Sequence, residues 1–175
     1  SIPAGVFIAI AFVFYLTVMT GASDPGAGPT KLVGGIAFSL GLILVVVCQA
    51  ELFTSSTLTF FARLRKKISI LQMLRHWVVV YVGNFVGAIF FVWLIWLAQL
   101  HMNHNGQWGL TAMKVAQHKL HHTFTQALVL GFLCNLLVCL SVWMAYFCDT
   151  ALEKALIIIF PVAMFVASGF EHSIA

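Results

Sequence analysis

The chain has 175 residues, of which 62% are hydrophobic and 8% are charged. Soluble domains carry about 25% charged residues, so this composition excludes a large water-soluble core and predicts an all-α, polytopic membrane protein. The net charge of +4 is explained by membrane topology and does not indicate nucleic-acid binding. The cysteines lie in or at the ends of apolar runs, which predicts packing residues and neither a disulfide framework nor a metal cage. They are Cys48, Cys134, Cys139 and Cys148.

The first two apolar segments differ in continuity. Residues 3–20 form one unbroken span, which a loop rich in Pro and Gly ends at residues 21–29. Residues 32–62 form a second span, which residues 51–56 interrupt with one carboxylate and three hydroxyls. The apolar run before this interruption, residues 36–47, is about half as long as a membrane crossing requires. Irregular polar backbone survives at that depth only where protein buries it or where it lines a wet cavity, so the interruption predicts a transport pathway.

Further apolar segments follow, over residues 71–100, over residues 119–147, and from about residue 155 to a polar cluster at residues 168–173. The third span contains Gly83 and Gly87 in a small-xxx-small pattern, which we expect to serve helix packing within the chain. Residues 101–118 are predicted to be a polar loop between spans three and four. Spans four and five are joined by a short turn at residues 149–153.

Basic residues predict the orientation of the chain. Three basic residues fall on one side of the membrane: Lys31, Lys114 and Lys119. Six fall on the other side: Arg63, Arg65, Lys66, Lys67, Arg75 and Lys154. By the positive-inside rule, the loop between spans two and three is cytoplasmic, and residues 101–118 face outward.

The two polar interruptions resemble each other. In each, a short apolar run leads to a carboxylate and then to a hydroxyl or imidazole: Glu51 precedes Thr54, and Glu171 precedes His172. They fall in the second of three spans and the fifth of a presumed six, so the two halves are predicted to insert in opposite directions. Paired broken helices in an inverted repeat are the best sequence pointer to a binding site near the bilayer midplane.

The polar side chains at these breaks have functional and structural interpretations. His172 is the strongest functional candidate, because ionisable groups inside a membrane are functional by default. Glu171 either sets the charge state of His172 or accepts from N–H groups of its own loop, and we favour the second role. Thr54 either donates to a substrate oxygen or caps the half-helix that follows. Glu51 either binds a cation or accepts hydrogen bonds from the N–H groups of its loop, and we prefer the second role. Lys119 either attracts anions to a pore mouth or extends its ammonium toward the membrane interface.

A group of histidines invites a metal-binding interpretation. They are His101, His104, His118, His121 and His122. His118 and His122 are one helical turn apart, but no cysteine or nearby carboxylate joins them in the sequence, and a wet interfacial location explains them more simply. We therefore expect no metal, no cofactor and no enzymatic activity.

Five stretches carry a family resemblance. They are residues 50–55 (AELFTS), 81–88 (YVGNFVGA), 105–110 (NGQWGL), 118–124 (HKLHHTF) and 161–173 (PVAMFVASGFEHS). In this order they resemble the formate/nitrite transporter family from the first span to the last residue. The resemblance implies an aquaporin-like, six-helix inverted repeat with broken helices two and five. Residues 1–175 would then be a single transmembrane channel domain covering about four and a half spans. This fragment would lack the amino-terminal cytoplasmic helix, the rest of span five and span six.

The resemblance also implies roles for particular residues. Thr54 and His172 match the two sides of a central pore chamber, Lys119 and Asn135 are further polar groups near it, and Glu171 belongs to the same substrate pathway. The hydrophobic constrictions above and below the chamber match Phe38, Leu42, Leu52, Phe53, Val138 and Phe165.

The implied function is a channel in the lipid bilayer of the bacterial inner membrane. It would be a homopentamer with one pore per protomer, and it would pass formate and related small monovalent anions, or their neutral acids together with a proton. We expect His172 and Thr54 to supply or share that proton. The residues leave open a nitrite or hydrosulfide channel of the same family, a neutral-solute channel such as a water pore, and a histidine-rich metal-binding membrane protein.

Overall fold

The computed structural model describes residues 1–175, and all regular elements are helices. They are α1 (Ile2–Met19), α2 (Gly28–Val47), α3 (Phe53–Ser56), α4 (Thr59–Leu64), α5 (Ile70–Leu97), α6 (Gln107–Leu120), α7 (Phe124–Ala145) and α8 (Ala151–Ala167), with a 3₁₀ turn at Leu100–Met102. Four of them, α1, α2, α5 and α7, are long and apolar enough to cross a membrane. The prediction of an all-helical protein with several spans is therefore confirmed.

Three long helices begin with the same local arrangement. The hydroxyl of the N-cap residue accepts a hydrogen bond from the backbone N–H three residues later, and the side chain of that later residue accepts from the N-cap N–H. The pairs are Ser69 with Gln72 in α5, Thr123 with Gln126 in α7, and Thr150 with Glu153 in α8. Each pair satisfies two donors that the helix itself leaves unpaired, so the local sequence fixes where each helix begins.

Small residues allow the closest helix contacts. Helix α2 packs against both α1 and α8, and α1 also packs against α5. A Cβ atom at Gly35 would lie 2.8 Å from Cα of Ala163 in α8, so the crossing of the two helices requires glycine. Gly83 and Gly87 of α5 likewise leave no room for a Cβ atom, Gly83 against the side chain of Ser1 and Gly87 against the backbone of Ile2. The prediction that these glycines serve packing within the chain is confirmed.

The prediction of a polar loop over residues 101–118 was wrong, because α6 occupies much of it. Trp108 is buried in the first turn of α6, and its Nε1 donates to Thr17 Oγ1 of α1 over 3.1 Å. One aromatic anchor in a polar stretch gives little hydropathy signal, which is why the helix was missed. Lys119 consequently lies in the last turn of α6, and span four begins only after the Thr123 cap.

The first break begins earlier than predicted. Helix α2 has 20 residues because it begins at Gly28, before the predicted start of the span at residue 32, and the apolar run over residues 36–47 is its second part. Its first turns contain Gly, Pro, Thr and Lys residues, which belong to the helix although they do not belong to the apolar run. The backbone leaves the helix over residues 48–52, and the hydroxyl residues from Thr54 to Ser56 belong to α3 beyond the break.

Candidate functional site at the paired helix breaks

Helix α2 ends in a left-handed turn. Gln49 has a φ of 54°, and Ala50 N–H donates back to Val45 O over 2.8 Å. Gln49 N–H donates to Val46 O over 3.3 Å. These two backward bonds and the left-handed residue define a Schellman C-cap, which satisfies carbonyls at the helix end. The chain therefore leaves α2 in a fixed direction, with its terminal polar groups paired.

Helix α8 ends in the same way. Gly169 has a φ of 73°, and Phe170 N–H donates to Phe165 O over 2.9 Å. A carboxylate follows the left-handed residue after one intervening residue in both cases, as Glu51 and as Glu171. The sequence similarity between the two interruptions thus corresponds to the same backbone turn, and the prediction of paired breaks is confirmed.

The two turns place different chemistry at equivalent positions. Leu52 follows the carboxylate in the first break, and His172 follows it in the second. Both side chains are buried, Leu52 completely and His172 with 7% of its surface exposed. The repeat therefore has an apolar side chain on one side and a titratable one on the other.

Asn84 of α5 holds the first break. Its side chain is fully buried; Oδ1 accepts from Phe53 N–H over 2.8 Å, and Nδ2 donates to the carbonyls of Glu51 (2.9 Å) and Ser1 (2.8 Å). The Glu51 side chain is exposed and forms no hydrogen bond, so the prediction that it ties the loop was wrong. Asn84 does so instead, and its position as a lone amide in the middle of an apolar span was the signal that could have revealed it.

Thr54 has a buried hydroxyl that is available for a ligand. Its Oγ1 forms no hydrogen bond, so of the two roles considered for Thr54 the structure shows no cap for the half-helix that follows. Its carbonyl accepts from Thr57 Oγ1 over 2.7 Å and from Cys139 Sγ over 3.4 Å. Asn135 Nδ2 donates to the same Thr57 Oγ1 over 3.1 Å, which links span four to the Thr54 segment. Asn135 therefore lies on the Thr54 side of the site, and it forms no hydrogen bond with His172.

His172 is enclosed by aromatic rings. The Phe165 ring is stacked on the imidazole with the centroids 6.1 Å apart, and the Phe38 ring meets it edge-on at 6.3 Å. Nδ1 accepts a hydrogen bond from Ile174 N–H over 3.2 Å. A nitrogen that accepts carries no proton, so the arrangement places the proton of the neutral imidazole on Nε2. His172 can thus offer one N–H donor to a ligand.

An open cavity of about 420 Å³ leads to His172. Lys31, Lys114 and Lys119 all line it, so the three lysines predicted to share one side of the membrane do lie together. Thr54 is not among its lining residues. The cavity therefore reaches the second break and not the first, and its basic rim is suited to small anions.

Glu171 binds Lys119 instead of its own loop. Lys119 Nζ lies 2.9 Å from Glu171 Oε2 and also donates to Ala175 O over 3.0 Å, while 5.7 Å separate it from the centre of the Phe12 ring. The prediction that Glu171 accepts hydrogen bonds from N–H groups of its own loop was wrong, because its carboxylate pairs with the Lys119 ammonium of α6. His118 and His122 also lie beside Glu171, so the expectation that no carboxylate joins these histidines was wrong as well.

The predicted constriction residues divide into two groups. Five of them belong to one buried apolar cluster: Phe38, Leu42, Leu52, Val138 and Phe165. Phe53 does not belong to it; its ring meets Tyr81 of α5 edge-on, with the centroids 5.1 Å apart. The cluster joins residues of α1, α2, α7 and α8 to Leu52 of the first break.

Apolar spans, two matching helix breaks and buried polar groups at both breaks define a multi-pass membrane protein with the inverted-repeat fold of channels. Comparison with known proteins narrows this class. The family model described as formate/nitrite transporter matches residues 1–175, and the chain belongs to that family.

The matching proteins include curated and structurally solved relatives. The formate channel FocA of Escherichia coli strain K12 is 57% identical over all of this chain and 61% of its own length, and FocA of Haemophilus influenzae is 55% identical over 62% of its length. The chain thus spans about three-fifths of these curated relatives. A solved pentameric formate channel with formate bound has a TM-score of 0.91 and 52% identity, over 99% of this chain and 68% of the other.

Proposed function

We propose that this protein forms a channel for formate and similar small monovalent anions, with one pore in each protomer of a homopentamer. The observation that carries the proposal is the placement of His172 at the end of a basic cavity and against a buried apolar cluster. The relatives named as formate channels, one of them solved as a pentamer with formate bound, support the substrate and the assembly. We place the protein in the bacterial inner membrane, with residues 1–175 as part of a single channel domain.

The basic rim and the apolar cluster act on an anion in opposite ways. Lys31, Lys114 and Lys119 raise the local concentration of formate by attraction. The apolar cluster then opposes a charged solute, because desolvating an ion costs several kcal/mol. A carboxylate with a pKa of about 4 can be neutralised at pH 7 for roughly 4 kcal/mol. The neutral acid is therefore the form that crosses the constrictions.

His172 at the second break and Thr54 just after the first break assist this neutralisation. The Nε2–H of His172 is a hydrogen-bond donor for a formate oxygen, and the unpaired Thr54 hydroxyl is a second donor. For His172 to give its proton away, Nδ1 must take one up, and Nδ1 is occupied by Ile174 N–H. Proton transfer thus requires the turn that contains His172 and Ile174 to open.

The proposal is tested with the intact channel reconstituted in liposomes. His172→Gln is expected to lower formate flux by about tenfold or more, because an amide can donate but cannot exchange a proton. The matched control is His121→Gln, since His121 is an exposed histidine outside the cavity lining. Equal flux in wild type and His172→Gln would refute the role of the imidazole.

The charge carried by the flux separates the mechanisms. A neutral-acid pathway predicts formate flux with little current, and a current equal to the whole flux would favour a simple anion channel. Nitrite, hydrosulfide and water are tested in the same liposomes by flux and swelling. Water permeation without formate flux would refute the proposed substrate class.

A further inference from the structure

We propose that His118, His122 and Glu171 form a binding site for a transition-metal ion such as Zn²⁺ at the mouth of the cavity. Ligand atoms of all three residues lie within 4.8 Å of one another. They come from the end of α6, from the turn before α7 and from the second break, so the fold assembles the site from distant parts of the chain. Two imidazoles and a carboxylate are the ligand set of many zinc sites with an open fourth position.

The geometry around His122 supports a metal rather than a hydrogen bond. Its Nε2 lies 3.3 Å from Glu171 Oε1, yet this nitrogen is buried and has no hydrogen-bond partner. An imidazole nitrogen and a carboxylate oxygen that lie close together without a hydrogen bond between them can both bind one metal ion. Since imidazole nitrogens bind metal in the neutral form, this pair needs no protonated histidine.

The third ligand lies within reach. The rings of His118 and His122 are 5.4 Å apart and nearly perpendicular, and His118 is exposed, so its side chain is free to turn. In a tetrahedral site with bonds of about 2.1 Å, ligand atoms lie roughly 3.4 Å apart. Rotation of the His118 side chain can therefore bring the ligand atoms to this distance without a backbone rearrangement.

Lys119 sets the strength of the site. Its ammonium pairs with Oε2 of Glu171, which leaves Oε1 facing the histidines. The carboxylate can thus serve both partners, but the nearby positive charge weakens the attraction for a divalent ion. We expect a site of moderate affinity, and Lys119→Met should bind Zn²⁺ more tightly than wild type does.

A bound ion would lie on the route to His172. His118 and Glu171 both line the cavity that leads to His172, so an ion held between them would narrow that cavity. External Zn²⁺ is therefore expected to slow formate flux. This part of the inference rests on the proposed function, whereas metal binding does not.

The test measures Zn²⁺ binding to the intact purified channel by titration calorimetry without formate. Wild type is expected to bind one ion per protomer. Changes to residues that only support metal ligands cost about 10–100-fold in affinity, so His122→Gln and Glu171→Gln should each weaken binding by at least about tenfold. His121→Gln is the matched control, because His121 is exposed and outside the cluster.

The outcomes separate the inference from the proposed function. Equal Zn²⁺ affinity in wild type and His122→Gln, or an equal loss in His121→Gln, would overturn the site. Flux measured without metal tests the channel alone. Zn²⁺ inhibition that persists in His122→Gln would overturn the link between the site and the flux, whatever the channel carries.

Discussion

Asn84→Ala is expected to release the first helix break. The substitution removes three hydrogen bonds, of 2.8 to 2.9 Å, from a fully buried side chain. Side-chain hydrogen bonds in membrane proteins average about 0.6 kcal/mol, which puts the minimum near 2 kcal/mol. Phe53 N–H and the Glu51 carbonyl would lose their Asn84 partner at a helix break, and each unsatisfied group costs about 1–3 kcal/mol. The expected loss in the free energy of unfolding is about 2–5 kcal/mol.

The matched control for this prediction is Asn135→Ala. Asn135 is also an asparagine in a spanning helix, but it is half-buried, and its one oxygen partner is Thr57 Oγ1. Its removal is expected to cost about 0.5–1 kcal/mol. Unfolding of both variants by sodium dodecyl sulfate in mixed micelles, followed by tryptophan fluorescence, measures the difference. Equal destabilisation of the two variants would refute the assignment of Asn84 as the residue that holds the break.

Four further substitutions test other parts of the structure. Gln49→Gly should stabilise the protein by about 1 kcal/mol, and Gly169→Ala should destabilise it by a similar amount, because the left-handed turn favours glycine. Thermal unfolding in detergent measures both changes, and a stabilising effect of Gly169→Ala would contradict the argument. Thr54→Val should leave the unfolding temperature unchanged and lower formate flux about tenfold, since its hydroxyl has no partner to lose in the folded protein; unchanged flux would remove Thr54 from the pathway. Glu171→Gln should lower the free energy of unfolding by up to about 1 kcal/mol at low salt and by less at high salt, because the paired side chains of Glu171 and Lys119 are 21% and 29% exposed. A loss that does not vary with salt would argue against the ion pair.

The repeat was predictable because both breaks use the same local signals. An apolar helix, a residue that accepts the left-handed turn and a carboxylate occur in the same order, and such a turn depends on neighbours along the chain. The partners of the polar groups were not predictable in this way. Asn84 contacts the first break only because α1 and α5 cross through their glycines, and Glu171 meets Lys119 only because α6 lies over the second break.

The errors at Glu51 and Glu171 have a common cause. Both carboxylates were assigned to the nearest N–H groups in the sequence, which is a sound rule for a loop surrounded by water. In the folded chain the Asn84 amide of α5 accepts the hydrogen bond from the N–H group of the first break, and the Glu51 side chain is exposed. At the second break a lysine provides a stronger partner than a loop N–H does, so Glu171 turns toward the cavity.

The paired side chains at the starts of α5, α7 and α8 have a consequence for biosynthesis. Each pair lies within four consecutive residues, so it can form as soon as that short segment leaves the ribosome. The first turn of a helix is the costly one, and a cap that forms early lowers its cost. Each of these helices can therefore have its starting point set locally, before it packs against the earlier helices of the chain. The first turns of α5, α7 and α8 can then form in the order in which these segments are synthesised.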